Sequence, residues 1–424
     1  MPASTTRGYT PPISPGANKA STAFELPSGT TVSHRGKSTA TTTTTASKTG
    51  SRYSSVPHPK DLPSAGDLRK AIPAHCFNKS LPTSMAYLAR DLALVFGTMW
   101  AFHGLVQGEA WGGLSLAAKM AITVAYWLAD GLFMWCLFVV GHDCGHGTFS
   151  EHQWFNDIIG HVAHASILVP YWPWQRSHHM HHSYHNNGGP KPCKDKSHPW
   201  THTDERELMD SPVWAFMRPL RGLMPIIGWP MYVIFAEGGH FTPFGGELWE
   251  GADTKTRVKA LVSGAAVIGV AAAIGHTLAW DLADTMMVYG GPYFVFSWWL
   301  FTVTFLQHHH PESVVYEDGA WSYIKGAFET VDRTYGMGID NFHHNISNGH
   351  VAHHIFFTKI PHYHLLEATE AIKGELKTRG AEHWYLHRDN TLTGGRWFVT
   401  EVWRQLHNHY FAAATWVSAS GKLD

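Results

Sequence analysis

Four apolar stretches, Ser84–Val106, Leu116–Val140, Val258–Trp280 and Thr285–Leu306, constrain this chain more than any other feature. Each is long enough for a helix to cross a hydrocarbon layer of ~30 Å, and backbone in lipid must satisfy its own hydrogen bonds, so helices are expected. The stretches fall into two close pairs, which read as two helical hairpins, and everything outside the hairpins then lies on one side of the bilayer. The segment between them carries Arg176, Lys191, Lys194, Lys196, Arg206, Arg218, Arg221 and Arg257, which assigns that side to the cytoplasm or its organellar equivalent. Charged residues are 15% of the chain, against the ~25% of an ordinary soluble protein. The expected fold is an all-α integral membrane protein: four transmembrane helices in two hairpins, interfacial helices, and a cytosolic histidine-rich cap. Trp154–Trp174 and Pro219–Ala236, broken by Pro, Gly and His, are the interfacial or re-entrant pieces. Asp130, inside the second stretch, is expected to face protein or water, because a lipid-facing carboxylate is too costly.

Histidine is the second constraint. The chain has 32, as many as Lys and Arg together, with ten between His142 and His185 and ten between His308 and His364. The first box is His142-Asp-Cys-Gly-His146 at the end of the second stretch; its i, i+4 spacing puts two imidazoles on one helix face. The second, His178-His-Met-His181-His182, and the third, His350-Val-Ala-His353-His354, repeat one HxxHH pattern. Together they supply eight candidate ligands, His142, His146, His178, His181, His182, His350, His353 and His354, all on one membrane face. His308, where the fourth stretch ends, offers a ninth, and His344 is a further ligand or an outer partner. So many neutral nitrogen donors suit two borderline transition-metal ions. A zinc protease would show HExxH, which does not occur, and a soluble carboxylate di-iron bundle would show two Glu-x-x-His motifs, of which the chain has only Glu237-Gly-Gly-His240.

Other classes are excluded by composition. A formal net charge of −1 removes the basic field that nucleic-acid binding requires. Cys76, Cys136, Cys144 and Cys193 contain no CxxC and make neither a disulfide scaffold nor a thiolate zinc cluster. Residues 1–63 form a Ser/Thr-rich segment, with Glu25 the only acid among the first 60, and read as a disordered tail or an organelle transit peptide. Residues 64–390 form the histidine-bearing membrane domain, and 391–424 a C-terminal cytosolic segment.

Beyond the boxes, the chain resembles the membrane fatty-acid desaturases, and within them the methyl-end (ω-3 and Δ12) acyl desaturases. The resemblance rests on Asp67-Leu-Arg-Lys-Ala-Ile-Pro-Ala-His-Cys76, Gly141-His-Asp-Cys-Gly-His-Gly-Thr-Phe-Ser150 and Gly228-Trp-Pro-Met-Tyr232. It continues with Leu306-Gln-His308, box three and Pro361-His-Tyr-His-Leu-Leu-Glu-Ala-Thr369. Box one with its Gly-Thr-Phe-Ser tail, Gly160–Pro170 and Ser84–Asp91 look like ω-3 enzymes, whereas box three and Leu306-Gln-His308 are common in Δ12 enzymes. The resemblance implies a non-haem di-iron centre, O2 as oxidant, and an acyl-lipid or acyl-CoA substrate. With no His-Pro-Gly-Gly haem motif and no GxGxxG, electrons are expected from a separate cytochrome b5 or a ferredoxin. The endoplasmic reticulum is the expected location, with a plastid membrane as the alternative.

Abstraction of hydrogen from an unactivated methylene is beyond any amino-acid side chain, which is why a redox cofactor is required. The protein's own tasks are to orient the imidazoles, with Asp143 and Asn345 as candidate outer partners, and to align the acyl chain. Trp172, Trp174, Trp298, Trp299 and Phe301 are candidate channel residues, and His362 and His364 candidate residues of its mouth. Two alternatives stand beside desaturation: a related hydroxylase or acetylenase using the same centre, and, remotely, a metal transporter.

Overall fold

The computed structural model describes residues 53–189, 195, 219–235, 238–408, 415–418 and 420. The expected tail or transit peptide therefore lies outside the described residues as far as residue 52, as do Lys191, Lys194, Lys196, Arg206 and Arg218 of the basic segment. Helix α1 (Ala65–Ala71) opens on a capping box in which Ser64 and Asp67 exchange side-chain and backbone hydrogen bonds. Helix α2 (Leu81–Gln107) begins at N-cap Ser80 with Pro82 in its first turn. Helix α3 (Leu116–His146) begins at N-cap Ser115 and stops at Gly147, which turns left-handed at φ 72. The first stretch expected to be interfacial becomes α4 (Gln153–Ala165) and α5 (Tyr171–Tyr184); the second becomes α6 (Met224–Phe235). Asp253 caps α7 (Thr254–Thr277), accepting from the Thr256 amide at 2.8 Å. A short turn at Leu282–Thr285 and a π-helical turn at Met286–Gly290 lead into α8 (Gly291–His308), which is followed by the short α9 (Tyr323–Phe328).

Among the described residues, two helices, Leu116–His146 and Thr254–Thr277, are long and apolar enough to cross a membrane. The other two expected stretches are helical but less uniform. Helix α2 carries Arg90 and buried Asp91, which pair at 2.8 Å, so its first half is built for polar contacts. Helix α8 is 18 residues long and rich in aromatic and hydroxyl side chains. Large apolar residues still face outward: Trp100 on α2, Leu128 on α3 and Ile268 on α7 are 78%, 59% and 67% exposed. An apolar collar of this kind is what a soluble surface avoids.

Helix α3 is the centre of the packing, in contact with α2, α4 and α8, while α6 lies along α8. The α3–α8 approach depends on Gly131, where a Cβ would come within 2.4 Å of Val295 Cβ. Asp130, one residue earlier, is buried and faces protein: the Thr98 hydroxyl donates to its carboxylate at 2.6 Å.

The all-α expectation needs one correction. Two small parallel sheets form, β1 (Val314–Tyr316) with β4 (Thr415–Val417) and β2 (Val331–Thr334) with β3 (Leu386–Asp389). Strands of three or four residues leave no periodic signal, and each pair joins segments distant in sequence. The C-terminal segment is drawn into the cap by β4 and by α12 (Phe398–Asn408), where Phe398 stacks on Trp299 at 5.4 Å.

Candidate metal centre

Strand β2 positions two of the histidine-bearing helices at once. The Asp332 carboxylate accepts from the Val351 amide at 2.8 Å, capping α10 (His350–Phe356), which carries box three. Its neighbour Arg333 donates to the Leu306 carbonyl at 2.8 Å, in the last turn of α8, where His308 sits. Gln307 adds a bond to the Ser347 carbonyl at 2.9 Å, tying the end of α8 to the approach of box three. Box one is fixed by contact between helices. At Gly141 a Cβ would lie 2.1 Å from the His164 ring, so only glycine lets α4 approach α3 this closely.

The nine histidines from the boxes and α8 meet in two adjoining groups. His142, His146, His178, His182 and His353 have donor atoms within 4.8 Å of one another, and so do His181, His308 and His354. His350 joins the second group, its Nε2 lying 2.8 Å from His308 Nε2. Within the first, the Nε2 atoms of His142 and His146, of His178 and His182, and of His182 and His353 are each 3.1 Å apart. Each HxxHH box is split: the i, i+4 pair serves one group and the i+3 imidazole crosses to the other. His178 and His182 lie in the first group and His181 in the second, whereas His350 and His354 lie in the second and His353 in the first.

The donor chemistry fits metal. Burial, reinforced by neighbouring imidazoles, holds His178, His182, His353 and His354 well below the ordinary imidazole range, and His350 is pushed down to about 3. Neutral rings are the form that binds a cation. Two tautomers follow from the partners: His350 donates Nδ1–H to the Ile346 carbonyl at 3.0 Å and His181 donates Nδ1–H to Asp195 at 2.8 Å. Each Nε2 then carries the lone pair.

An apolar cleft, partly open to its surroundings, leads to the histidines. His142, His178, His181, His308 and His350 form its polar end, and its walls come from α3 (Trp135, Phe138), α5 (Trp174), α6 (Trp229, Tyr232) and α8 (Leu300, Phe301). Of the candidate channel residues, Trp174 and Phe301 line it. Trp172 instead lies under the Lys259 ammonium at 4.6 Å, and Trp298 and Trp299 pack against Phe398.

His344 is not gathered into either group. It donates Nε2–H to Asp91 at 2.7 Å, linking α2 to the segment before box three. Asp143 accepts from the His362 ring at 2.8 Å and lies 3.7 Å from His142 Nδ1, so it orients the approach to α3 more than a box-one ring. His362 is buried on that carboxylate, His364 stands edge-on to His75, and Asn345 adopts a left-handed φ of 58. Asp195 and the ring of Phe357 were not legible as parts of the site, and Trp174, expected as a channel residue, also stacks on His178. Asp195 is a lone carboxylate 14 residues beyond its histidine, with no spacing that marks it.

A helical bundle that buries convergent imidazoles at the end of an apolar cleft is the arrangement of an enzyme able to hold metal against a long apolar substrate. The family model for fatty acid desaturase matches residues 116–387. The chain is 42% identical over 328 residues to the Delta(12) fatty acid desaturase fat-2 of Caenorhabditis elegans, covering 75% of this chain and 80% of that protein. It is 38% identical over 323 residues to the omega-3 fatty acid desaturase fat-1 of the same nematode, covering 74% of each. An Arabidopsis thaliana relative, 35% identical over 329 residues and covering 74% of this chain and 79% of its own, is named acyl-lipid omega-3 desaturase (cytochrome b5), endoplasmic reticulum. Other relatives are named for ferredoxin and for oleoyl-12-hydroxylation. This chain belongs to the membrane-bound fatty acid desaturase family, in its methyl-end subgroup, and is an oxidoreductase of lipid metabolism.

Proposed function

We propose that this protein is an O2-dependent methyl-end acyl desaturase that installs a cis double bond at the ω-3 position. Its two iron ions are held by His142, His146, His178, His182 and His353 on one side and His181, His308, His350 and His354 on the other. The observation that carries this reading is the meeting of nine imidazoles, eight buried and His178 half-buried, in two groups at the end of an apolar cleft. Bound there, iron would activate O2 as the oxidant: O2, two electrons and two protons would be consumed, two hydrogens would leave the acyl chain and two waters would form.

The chain's own residues do the rest. Phe138, Trp229, Tyr232 and Leu300 hold the acyl chain straight along the cleft and keep water from the reacting methylenes. Asp195 and the Ile346 carbonyl lock two ring orientations, and His344 acts from outside through Asp91. The four apolar helices form two membrane hairpins with the histidine cap on the cytosolic side, and residues 1–63 precede this domain. A separate cytochrome b5 in the endoplasmic reticulum, or a ferredoxin if the location is a plastid membrane, delivers electrons to an acyl-lipid or acyl-CoA substrate; names among the relatives support both donors.

Δ12 desaturation of oleoyl chains is the second reading, favoured by the nematode relative at 42% identity. Expression in yeast, with and without added 18:2, followed by gas chromatography of lipid methyl esters separates the readings. An ω-3 product from 18:2 supports the first; 18:2 formed from 18:1 with no ω-3 product replaces it by the second; a hydroxylated chain replaces both.

A further inference from the structure

We propose that His75, Cys76, His364 and Glu367 form a separate site for one zinc-class divalent ion, which clamps the N-terminal segment onto the helix that follows box three. Their ligand atoms lie within 4.8 Å of one another. His75 and Cys76 sit on a single 3-10 turn, Ala74–Phe77, between α1 and α2. His364 and Glu367 open α11 (Leu365–Arg379), and their i, i+3 spacing puts both on one face. The two halves belong to motif stretches that the sequence singled out, 67–76 and 361–369, and the histidine centre uses neither pair.

The cluster is built from both sides. The turn is held by Arg69 over the Phe77 ring at 4.2 Å and by Phe77 edge-on to Phe356 at 5.6 Å, so it rests on the box-three helix. Cys76 is fully buried behind the cluster. His75 Nε2 meets Glu367 Oε2 at 2.7 Å, with these side chains 56% and 49% exposed, and the His364 ring stands 5.5 Å from that of His75. An ion therefore has an open approach from solvent and a fixed sulfur at its back. An ordinary surface His–Glu pair has no need of either the thiol or the second imidazole.

One thiolate, two imidazoles and one carboxylate are a borderline-to-soft set that suits tetrahedral zinc. Metal–donor bonds of ~2.0–2.3 Å put tetrahedral donors roughly 3.3–3.8 Å apart, so the cluster must close by about 1 Å. Exposed His75 and Glu367 can rotate that far while Cys76 stays in place. Binding releases the Cys76 thiol proton to solvent and changes no oxidation state. The ion would join residues 292 apart in sequence, between the start of the first apolar helix and the cap that carries box three.

Cobalt(II) gives a direct test on the full-length, iron-loaded protein in detergent. Among the described residues the histidine centre contains no cysteine, since Cys136 and Cys144 are buried outside both groups. A thiolate-to-cobalt charge-transfer band in the near ultraviolet that is lost in C76S and kept in C193S therefore reports this cluster. The expected result is such a band, displaced by one equivalent of zinc and absent in C76S, with iron content unchanged. Should C76S fail to fold, the surface variants H364A and E367Q carry the test. H364A is expected to weaken cobalt binding by more than the ~10–100-fold that loss of an outer partner costs, and E367Q to weaken it measurably. Zinc is expected to raise the melting temperature of the wild type and not of H364A. No charge-transfer band in the wild type, a band that survives C76S, or wild-type cobalt affinity in H364A overturns the proposal.

Discussion

Two rings of the first histidine group are held by aromatic faces, whereas two rings of the second are held by hydrogen bonds. His178 stacks on Trp174 at 4.6 Å and His182 on Phe357 at 4.6 Å. In the second group His181 and His350 each commit Nδ1–H to an acceptor, a carboxylate and a carbonyl. Stacking fixes a ring plane and excludes water but leaves the tautomer free. A hydrogen bond fixes the tautomer and raises the basicity of the far nitrogen. The second group is thus the more rigidly pre-set donor, and the first the more adaptable.

The largest expected effect treats both groups alike. His353→Ala in the first and His354→Ala in the second should each lower desaturation by more than ~100-fold, beyond the range for outer partners, with the protein still recovered in membranes. An active variant on one side only would mean that one group does not serve the reaction. Asp195→Asn sharpens the contrast. It should weaken iron retention by about 10–100-fold, read as iron per chain during chelator titration, whereas Phe357→Leu should leave iron retention near wild type.

Acid comes next. Burial pushes His350 down to about 3, from an unfolded value of ~6.5. Above ~6.5 the ring is neutral in both states and favours neither; as pH falls toward about 3 the unfolded chain takes up the proton first, so stability and iron are lost together. Iron content and melting temperature measured from pH 8 downward check this, and iron retained undiminished at pH 4 would contradict it. The smallest effect is on packing. Phe357→Leu should cost ~0.5–1.5 kcal/mol for the lost ring contacts, seen as a modest drop in melting temperature with activity retained.

Much of this was legible in the chain. The apolar stretches at 84–106, 116–140, 258–280 and 285–306 became helices because their length and composition permit little else. The histidine boxes announced a donor set because i, i+3 and i+4 spacing gathers side chains on a helix. What escaped was non-local. Asp332, Arg333 and Asp195 act on helix ends or rings far from themselves in sequence, and the short parallel strands pair segments that share no pattern.

The boxes and their spacing established that imidazoles would gather on helix faces, in an enzyme of the fatty acid desaturase family. How those imidazoles are shared out was settled by three-dimensional packing. His181 and His182 are neighbours in the chain yet serve different groups, as do His353 and His354. Successive residues on a helix point about 100° apart, so adjacent imidazoles cannot aim at one point. Which point each one meets depends on where α3, α8 and the facing box helix are packed, and that is set by Gly131, Gly141 and the caps from β2.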